Sequence, residues 1–303
     1  MNRRDLLKSA ALLPLSTTSE PLAPGLARKR SVRLAYIGDT HVLPESKPMN
    51  GIAACLQHIQ NQADRPQFIL HGGDTIMDAL AEGRDKVKAQ WDAWHQVVKA
   101  NSSLPIEYCI GNHDVWGYEN AKAEPEYGKK WAVDQMRISG RYRSFDRNGW
   151  HFVVLDSVQL KPDGSWYTGN LDPEQMDWLK QDLAKTSART PVLVLSHIPI
   201  LTTTVFAFNG QQSNPTTIPA GLMHTDFGDL IKLFYQYPNV KTALSGHTHL
   251  LERVDYNGVS YLCNGAVSGN WWKTDTHQQT KAGYALIDLY DDGTVERTYV
   301  AYA

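Results

Sequence analysis

Apolar positions follow two alternating rhythms along this chain. Short runs rich in branched and aromatic residues, Ser31 to Ile37, Gln67 to His71, Ile106 to Ile110, Pro191 to Leu195 and Val240 to Leu244, have the length and composition of buried strands. Between them, apolar residues recur at helical spacing in four sets: Ile52, Cys55, Leu56, Ile59; Val87, Trp91, Trp94, Val98; Met176, Leu179, Leu183; and Phe227, Leu230, Ile231, Phe234. Strand, helix, strand in this order predicts β-α-β units and parallel pairing. Asp172-Pro173-Glu174-Gln175 predicts a helix start with an N-cap aspartate, proline at N1 and a capping-box glutamine, and Thr225 is expected to cap the last helix. Tyr142 to Asp146 and Trp150 to Leu155 predict a hairpin turning near Asn148-Gly149. Antiparallel strands are expected over Leu251 to Tyr256, Val259 to Cys263, Gly283 to Leu289 and Thr294 to Ala301, with turns at Asn257-Gly258 and Asp292-Gly293.

Composition narrows this picture. At 303 residues and 42% hydrophobic, the chain can bury a large core, and residues 28–303 read as one domain. A formal charge of −2, with no lysine or arginine block beyond the N-terminus, does not indicate a nucleic-acid-binding surface. Cys55, Cys109 and Cys263 match no cysteine zinc motif, and Cys55 shares a helical stripe with Ile52 and Ile59, which predicts packing. At the N-terminus, Arg3-Arg4 precedes a short apolar run from Ala10 to Leu15 and the small-residue site Gly25-Leu26-Ala27. This resembles a twin-arginine export signal over residues 1–27, which implies engagement with the twin-arginine translocation machinery and a periplasmic or secreted destination. No other segment is long and apolar enough for a membrane helix, so stable membrane insertion is not expected.

Five of the predicted strands run directly into short polar clusters: Asp39-Thr40-His41, Gly73-Asp74, Gly111-Asn112-His113-Asp114, Ser196-His197 and Gly246-His247-Thr248-His249. Carboxyl ends of parallel strands face one crevice, so acid, amide and imidazole groups from distant segments are expected to converge there. Asp39 and His41, two residues apart in extended chain, face the same side. Oxygen and nitrogen donors without thiolate suit Mn, Fe or Zn ions. Val115 to Gly140, aromatic and charged without a clean period, is expected at the rim of this site, and residues 200–224 read as a long loop over it. Trp91 and Trp94 read as core. His58, His71, His95 and His151 lie on predicted helices and strands and read as structural; His224 and His277 lie in loops where they could meet a substrate, but substrate contact is not the favoured role for either. Trp271 and Trp272 are adjacent in a glycine-rich loop, so one of them is expected at the pocket rim.

The order Asp-x-His, Gly-Asp, Gly-Asn-His-Asp, strand-end His, Gly-His-x-His resembles the calcineurin-like metallophosphoesterase superfamily over about Leu34 to His249. The resemblance implies an α/β fold in which two packed mixed β-sheets are flanked by helices in four layers, and two transition-metal ions. Asp39, His41, Asp74 and His249 would hold the first ion, and Asp74, Asn112, His197 and His247 the second, with Asp74 bridging. It implies hydrolysis of a small phosphoester, a monoester or a diester such as a cyclic nucleotide, by a hydroxide shared between the ions, with His113 protonating the leaving oxygen. Asp114 and Asp78 are both candidates to orient His113. Met77 stands where the purple acid phosphatase branch carries a tyrosine ligand, so a tyrosinate-iron colour is not expected. Two other readings remain: a catalytically idle metal- or phosphate-binding protein of the same fold, which would need no proton donor, and a nuclease, which the acidic charge disfavours.

Overall fold

The computed structural model describes residues 28–208 and 217–302. The segment read as an export signal, residues 1–27, and part of the long loop, residues 209–216, lie outside the described residues. In chain order the elements are β1 (Arg30–Ile37), α1 (Ser46–Gln60), β2 (Ile69–His71), α2 (Arg84–Asn101), β3 (Ile106–Tyr108), α3 (Lys130–Met136), β4 (Arg143–Arg147), β5 (Trp150–Val154), β6 (Val158–Leu160) and β7 (Trp166–Gly169). The second half adds α4 (Pro173–Lys185), β8 (Val192–Leu195), α5 (Val205–Phe208), α6 (Phe227–Gln236), β9 (Val240–Ser245), β10 (Glu252–Tyr256), β11 (Val259–Cys263), β12 (Gly283–Tyr290) and β13 (Val295–Ala301).

Two large mixed sheets result, in the orders β13-β12-β1-β2-β3 and β10-β11-β9-β8-β5-β4, with β6-β7 as a separate hairpin. Alternation along β1 explains the layering. Val32, Leu34 and Tyr36 face the second sheet and pack with Trp150, Phe152, Leu193 and Leu244, whereas Ala35 and Ile37 face outward onto Ile52, Leu56, Trp91 and Trp94 of α1 and α2. On the far side, Val153, Val192 and Val194 meet Leu179 and Leu183 of α4 and Leu230 and Phe234 of α6. These are the four layers the resemblance implied. β1, β2 and β3 run parallel, as do β5, β8 and β9, so their carboxyl ends open along one edge of the molecule.

Three local expectations are corrected. Residues 115–140 are not merely a rim: they carry α3 and bury Trp116 and Trp131, which meet edge to face at 4.7 Å beneath the Arg84 guanidinium. Turns and a three-residue helical turn break up this stretch, which is why it showed no period. Asp172 does cap α4 by accepting from Gln175 N–H, but the Gln175 amide is no capping box; it is buried and clasps the backbone N–H and carbonyl of Asp156. The residue before α6 is Asp226, and Thr225 Oγ1 instead donates to the Gly169 carbonyl. The C-terminal strands pair antiparallel as expected, but in two different sheets. β10 and β11 form a hairpin in the second sheet, where β11 also runs parallel to β9, while β12 and β13 close the first.

His151 has the structural role expected of it. Its Nδ1 lies 2.7 Å from Asp146 and its Nε2 2.8 Å from Asp182, which also accepts from Ser144. Burial disfavours its charge, but Asp182 and Asp146 outweigh that and raise its pKa above 6.5; burial likewise opposes ionisation of Asp182, yet His151 and Ser144 lower its pKa below 3.8. A raised histidine contributes stability that is full below pH 6.5 and fades as pH climbs through the folded value; a depressed aspartate contributes above 3.8 and fades as pH drops through its folded value. Both contributions coincide between about pH 4 and 6.5. His151→Gln should therefore cost about 2 kcal/mol at pH 5.5 and visibly less at pH 9. Urea midpoints at the two pH values check this, and an equal loss at both would refute it.

Candidate metal centre

All seven predicted ligands come together at the open edge. Asp39 and His41 follow β1, Asp74 follows β2, Asn112 follows β3, His197 follows β8, and His247 and His249 follow β9. Five of them, Asp39, His41, Asp74, His247 and His249, hold positive φ between 42° and 69°. Left-handed backbone at non-glycine residues is costly and persists only where surrounding structure enforces it, as at functional sites. The enforcement is visible: Asp39 Oδ1 accepts from His247 N–H at 2.9 Å, and Asp74 Oδ1 from His113 N–H at 2.9 Å. Glycines make the closeness possible. A Cβ on Gly111 would lie 2.1 Å from Asp74 Oδ1, and one on Gly246 2.3 Å from Asp39 Oδ2.

Donor atoms gather in overlapping groups, Asp39-His41-His249, His41-Asp74-His113 and Asp74-His197-His247, each within 4.8 Å. His41 Nε2 and His249 Nε2 face each other at 3.1 Å, and His249 Nε2 lies 3.5 Å from Asp39 Oδ1. Asn112 Oδ1 and His247 Nδ1 lie 3.1 and 3.2 Å from His197 Nε2. Asp74 Oδ2 stands between the groups, 3.7 Å from His41 Nε2 and 3.3 Å from His197 Nε2.

This cluster fits metal ions on its own chemistry. His197 Nδ1–H donates to the Gly72 carbonyl and His249 Nδ1–H to that of Gly269, both at 2.8 Å, which points each Nε2 into the site. Burial holds the imidazoles of His41, His247 and His249 below their usual range, the latter two to about 3 and about 4, so they are neutral as a ligand must be. Burial also disfavours charge on His197, but Asp74 beside it pushes its pKa up to about 9, so an ion taking its Nε2 would displace a proton there. Burial raises the Asp39 carboxyl, and although it acts the same way on Asp74, His197 and His113 opposite outweigh it and hold that carboxyl well below 3.8. Asp39 Oδ2, His247 Nε2 and His113 Nδ1 are buried without a hydrogen-bond partner among the described residues. Such atoms cost about 1–3 kcal/mol each when left unpaired, so their concentration here marks a place built for a ligand.

Neither carboxylate weighed as the orienter of His113 bonds to its ring. Asp114 is buried and accepts from Thr75 and Ile76 N–H with one oxygen and from Gly111 N–H with the other. It fixes the backbone that carries Asp74 and Asn112. Asp78 accepts from Leu80 and Ala81 N–H in the turn leading to α2. His224 is buried against Ser196 and Asp226 and does not face a substrate. Trp271 and Trp272 both reach the site: Trp271 stacks on His249 at 4.0 Å, and Trp272 Nε1–H donates to the Thr40 and His41 carbonyls. Sequence reasoning missed the carbonyls of Gly72 and Gly269, which no side-chain pattern reveals. It also missed Tyr167, edge-on to His247 at 6.1 Å and contributed by the β6-β7 hairpin.

Fold and donor set together define a metal-dependent phosphoester hydrolase. The profile described as calcineurin-like phosphoesterase matches residues 32–251, and the chain belongs to that family. It is 25% identical over 280 residues to a 3′,5′-cyclic-nucleotide phosphodiesterase of Nostoc sp., covering 88% of this chain and 91% of that one. It is 24% identical to the 3′,5′-cyclic adenosine monophosphate phosphodiesterase of Escherichia coli, over 89% and 90% of the two chains. Among solved structures, a dimetal phosphatase from Danio rerio shares the fold with a TM-score of 0.58 at 14% identity, covering 91% of this chain and all of that one.

Proposed function

We propose that this protein hydrolyses a small phosphodiester, with a 3′,5′-cyclic nucleotide as the leading candidate, at two metal ions bridged by Asp74. The observation that carries the reading is the position of Asp74 Oδ2 between the His41 and His197 donor groups. The names of the Nostoc and Escherichia coli relatives, matched over nearly their full lengths, support the diester. When bound, the ions supply Lewis acidity toward phosphoryl oxygens and lower the pKa of water. Asp39, His41, Asp74 and His249 would hold one, and Asp74, Asn112, His197 and His247 the other. His113, in the same donor cluster as Asp74, would deliver a ring proton to the departing oxygen, and Trp271 and Tyr167 would wall the entrance.

A phosphomonoester is the second reading, favoured by 27% identity over 221 residues to purple acid phosphatase 22 of Arabidopsis thaliana, of which the match covers 44%. Met77 offers no tyrosinate, so an iron-loaded preparation should remain without the purple band. Stripping the protein of metal and refilling it separately with Mn²⁺, Fe²⁺ and Zn²⁺ before assaying cyclic AMP, bis(nitrophenyl) phosphate and nitrophenyl phosphate decides between the readings. Turnover of the monoester alone would overturn the diester assignment.

We further infer export through the twin-arginine pathway, supported by Arg3-Arg4 ahead of the Ala10 to Leu15 run. Replacing both arginines by lysine should retain the active enzyme in the cytoplasm. Unchanged periplasmic activity on fractionation would end that reading.

A further inference from the structure

The ligands of the metal centre are held from behind by two separate pieces of chain. Ser196 and Ile198 flank His197. Ser196 Oγ donates to the Ile198 carbonyl at 2.8 Å and meets His224 Nε2 at 2.9 Å, while His224 Nδ1 lies 2.9 Å from Asp226 Oδ1. Ser196 and His224 are buried. The chain of bonds continues at both ends: Asp226 Oδ2 accepts from Leu171 N–H, His224 N–H donates to the Pro199 carbonyl, and Ile198 N–H donates to Ser157 Oγ. Serine, histidine and aspartate in this order resemble a hydrolytic triad, but the serine is sealed in the interior and spends its proton on a carbonyl. What the relay does is clamp the turn that presents His197, from both sides of that residue.

The second piece is the turn from Val267 to Trp272. Val267 N–H donates to the Gly38 carbonyl and Ser268 N–H to that of Asp39, which lashes the turn to the end of β1. The Gly269 carbonyl takes the His249 Nδ1–H, the Trp271 ring covers the His249 ring at 4.0 Å and 23°, and Trp272 Nε1–H holds the Thr40 and His41 carbonyls at 3.2 and 3.0 Å. Both tryptophans hold positive φ, 49° and 62°, so the turn adopts costly backbone to make these contacts. Its contacts fall on Asp39, His41 and His249. Those of the Ser196 relay fall on the residues flanking His197.

We propose that the two halves of the metal centre are positioned independently, His197 by the Ser196-His224-Asp226 relay and the Asp39-His41-His249 group by the Trp271-Trp272 turn. Ser196, His224, Asp226, Trp271 and Trp272 are thus positioning residues, and each strap sets the affinity of its own ion. The proposal rests on the two-ion reading above. Metal ligands lose about tenfold to a hundredfold in affinity when the groups that orient them are removed, so each strap should govern one ion by at least about tenfold.

Equilibrium dialysis of the metal-free full chain against Mn²⁺, with elemental analysis, tests this. His224→Phe keeps ring volume and removes both bonds; Trp272→Phe keeps a ring over Gly51 and removes the N–H. Each should weaken one Mn²⁺ by about tenfold and leave the other within about twofold. A double-mutant cycle identifies which ion is affected. On a His197→Ala background the added effect of His224→Phe should vanish, and on His249→Ala it should persist; Trp272→Phe should show the reverse. If His224→Phe does not fold, Ser196→Ala, the milder deletion in the same relay, takes its place. Weakening of both ions alike by either variant, or wild-type affinities in both, overturns the independent straps. A wild type that binds fewer than two Mn²⁺ would instead overturn the two-ion reading itself, so the two failures are distinct.

Discussion

Asp74→Asn should empty the metal centre and abolish phosphoesterase activity, while Asn112→Ala should keep a substantial share of both. Among the described residues Asp74 is the only carboxylate common to two of the three donor groups, and Asn112 Oδ1 lies 3.1 Å from His197 Nε2, on one side of the centre. Replacing a shared anion by a neutral amide weakens both ions at once, whereas truncating the asparagine removes one neutral donor from one ion. Metal catalysis contributes several kcal/mol of transition-state stabilisation, so losing both ions should cost about a thousandfold or more in kcat/KM. The fold should survive, because an asparagine Oδ1 can still accept from the His113 N–H that Asp74 Oδ1 now holds at 2.9 Å. Elemental analysis and circular dichroism of both variants check this. Two metals per chain retained by folded Asp74→Asn would exclude it as the bridge.

The second large effect is expected at His113. An alkoxide is strongly basic and leaves poorly unless protonated, whereas a nitrophenolate leaves almost unaided. General acid catalysis contributes about a hundredfold to ten-thousandfold, so His113→Asn should lose about that much on an alkyl or nucleoside phosphoester and much less on a nitrophenyl ester. The structure sharpens the alternative, because a His113 ring nitrogen falls in one donor group with His41 and Asp74. If His113 supports an ion, its replacement lowers metal content. If it holds a phosphoryl oxygen by charge, losses are equal on both esters, since the phosphoryl group is common to them. Wild-type metal content together with unequal losses is the outcome that identifies the acid.

The sequence alone determined the strand-helix alternation and the polar clusters at the strand ends, because both are written in local terms, while the four layers and the candidate ligand set were what the family resemblance implied. Burial on alternate faces of β1 fixes which residues meet the second sheet, and residues placed just past a parallel strand must lie at its carboxyl edge. Periodicity failed where packing is made by turns: Trp116 and Trp131 enter the core from a stretch with no repeat, and the Gln175 amide was taken by a backbone segment distant in sequence. Roles that depend on who stands opposite were also out of reach. Asp114 looked like a partner for the adjacent His113, yet its oxygens go to N–H groups of Gly111, Thr75 and Ile76, since the turn after β2 crosses beneath it. His224 lies in a loop where substrate contact was not the favoured role, but that it is buried behind His197 and bonds Ser196 was out of reach. The candidate ligands lie just past the ends of single strands, where the sequence had already placed them. The groups that aim them, the Gly72 and Gly269 carbonyls, the Ser196 relay and the tryptophan turn, are joined by hydrogen bonds between segments remote in sequence, and only the tertiary structure brings those together.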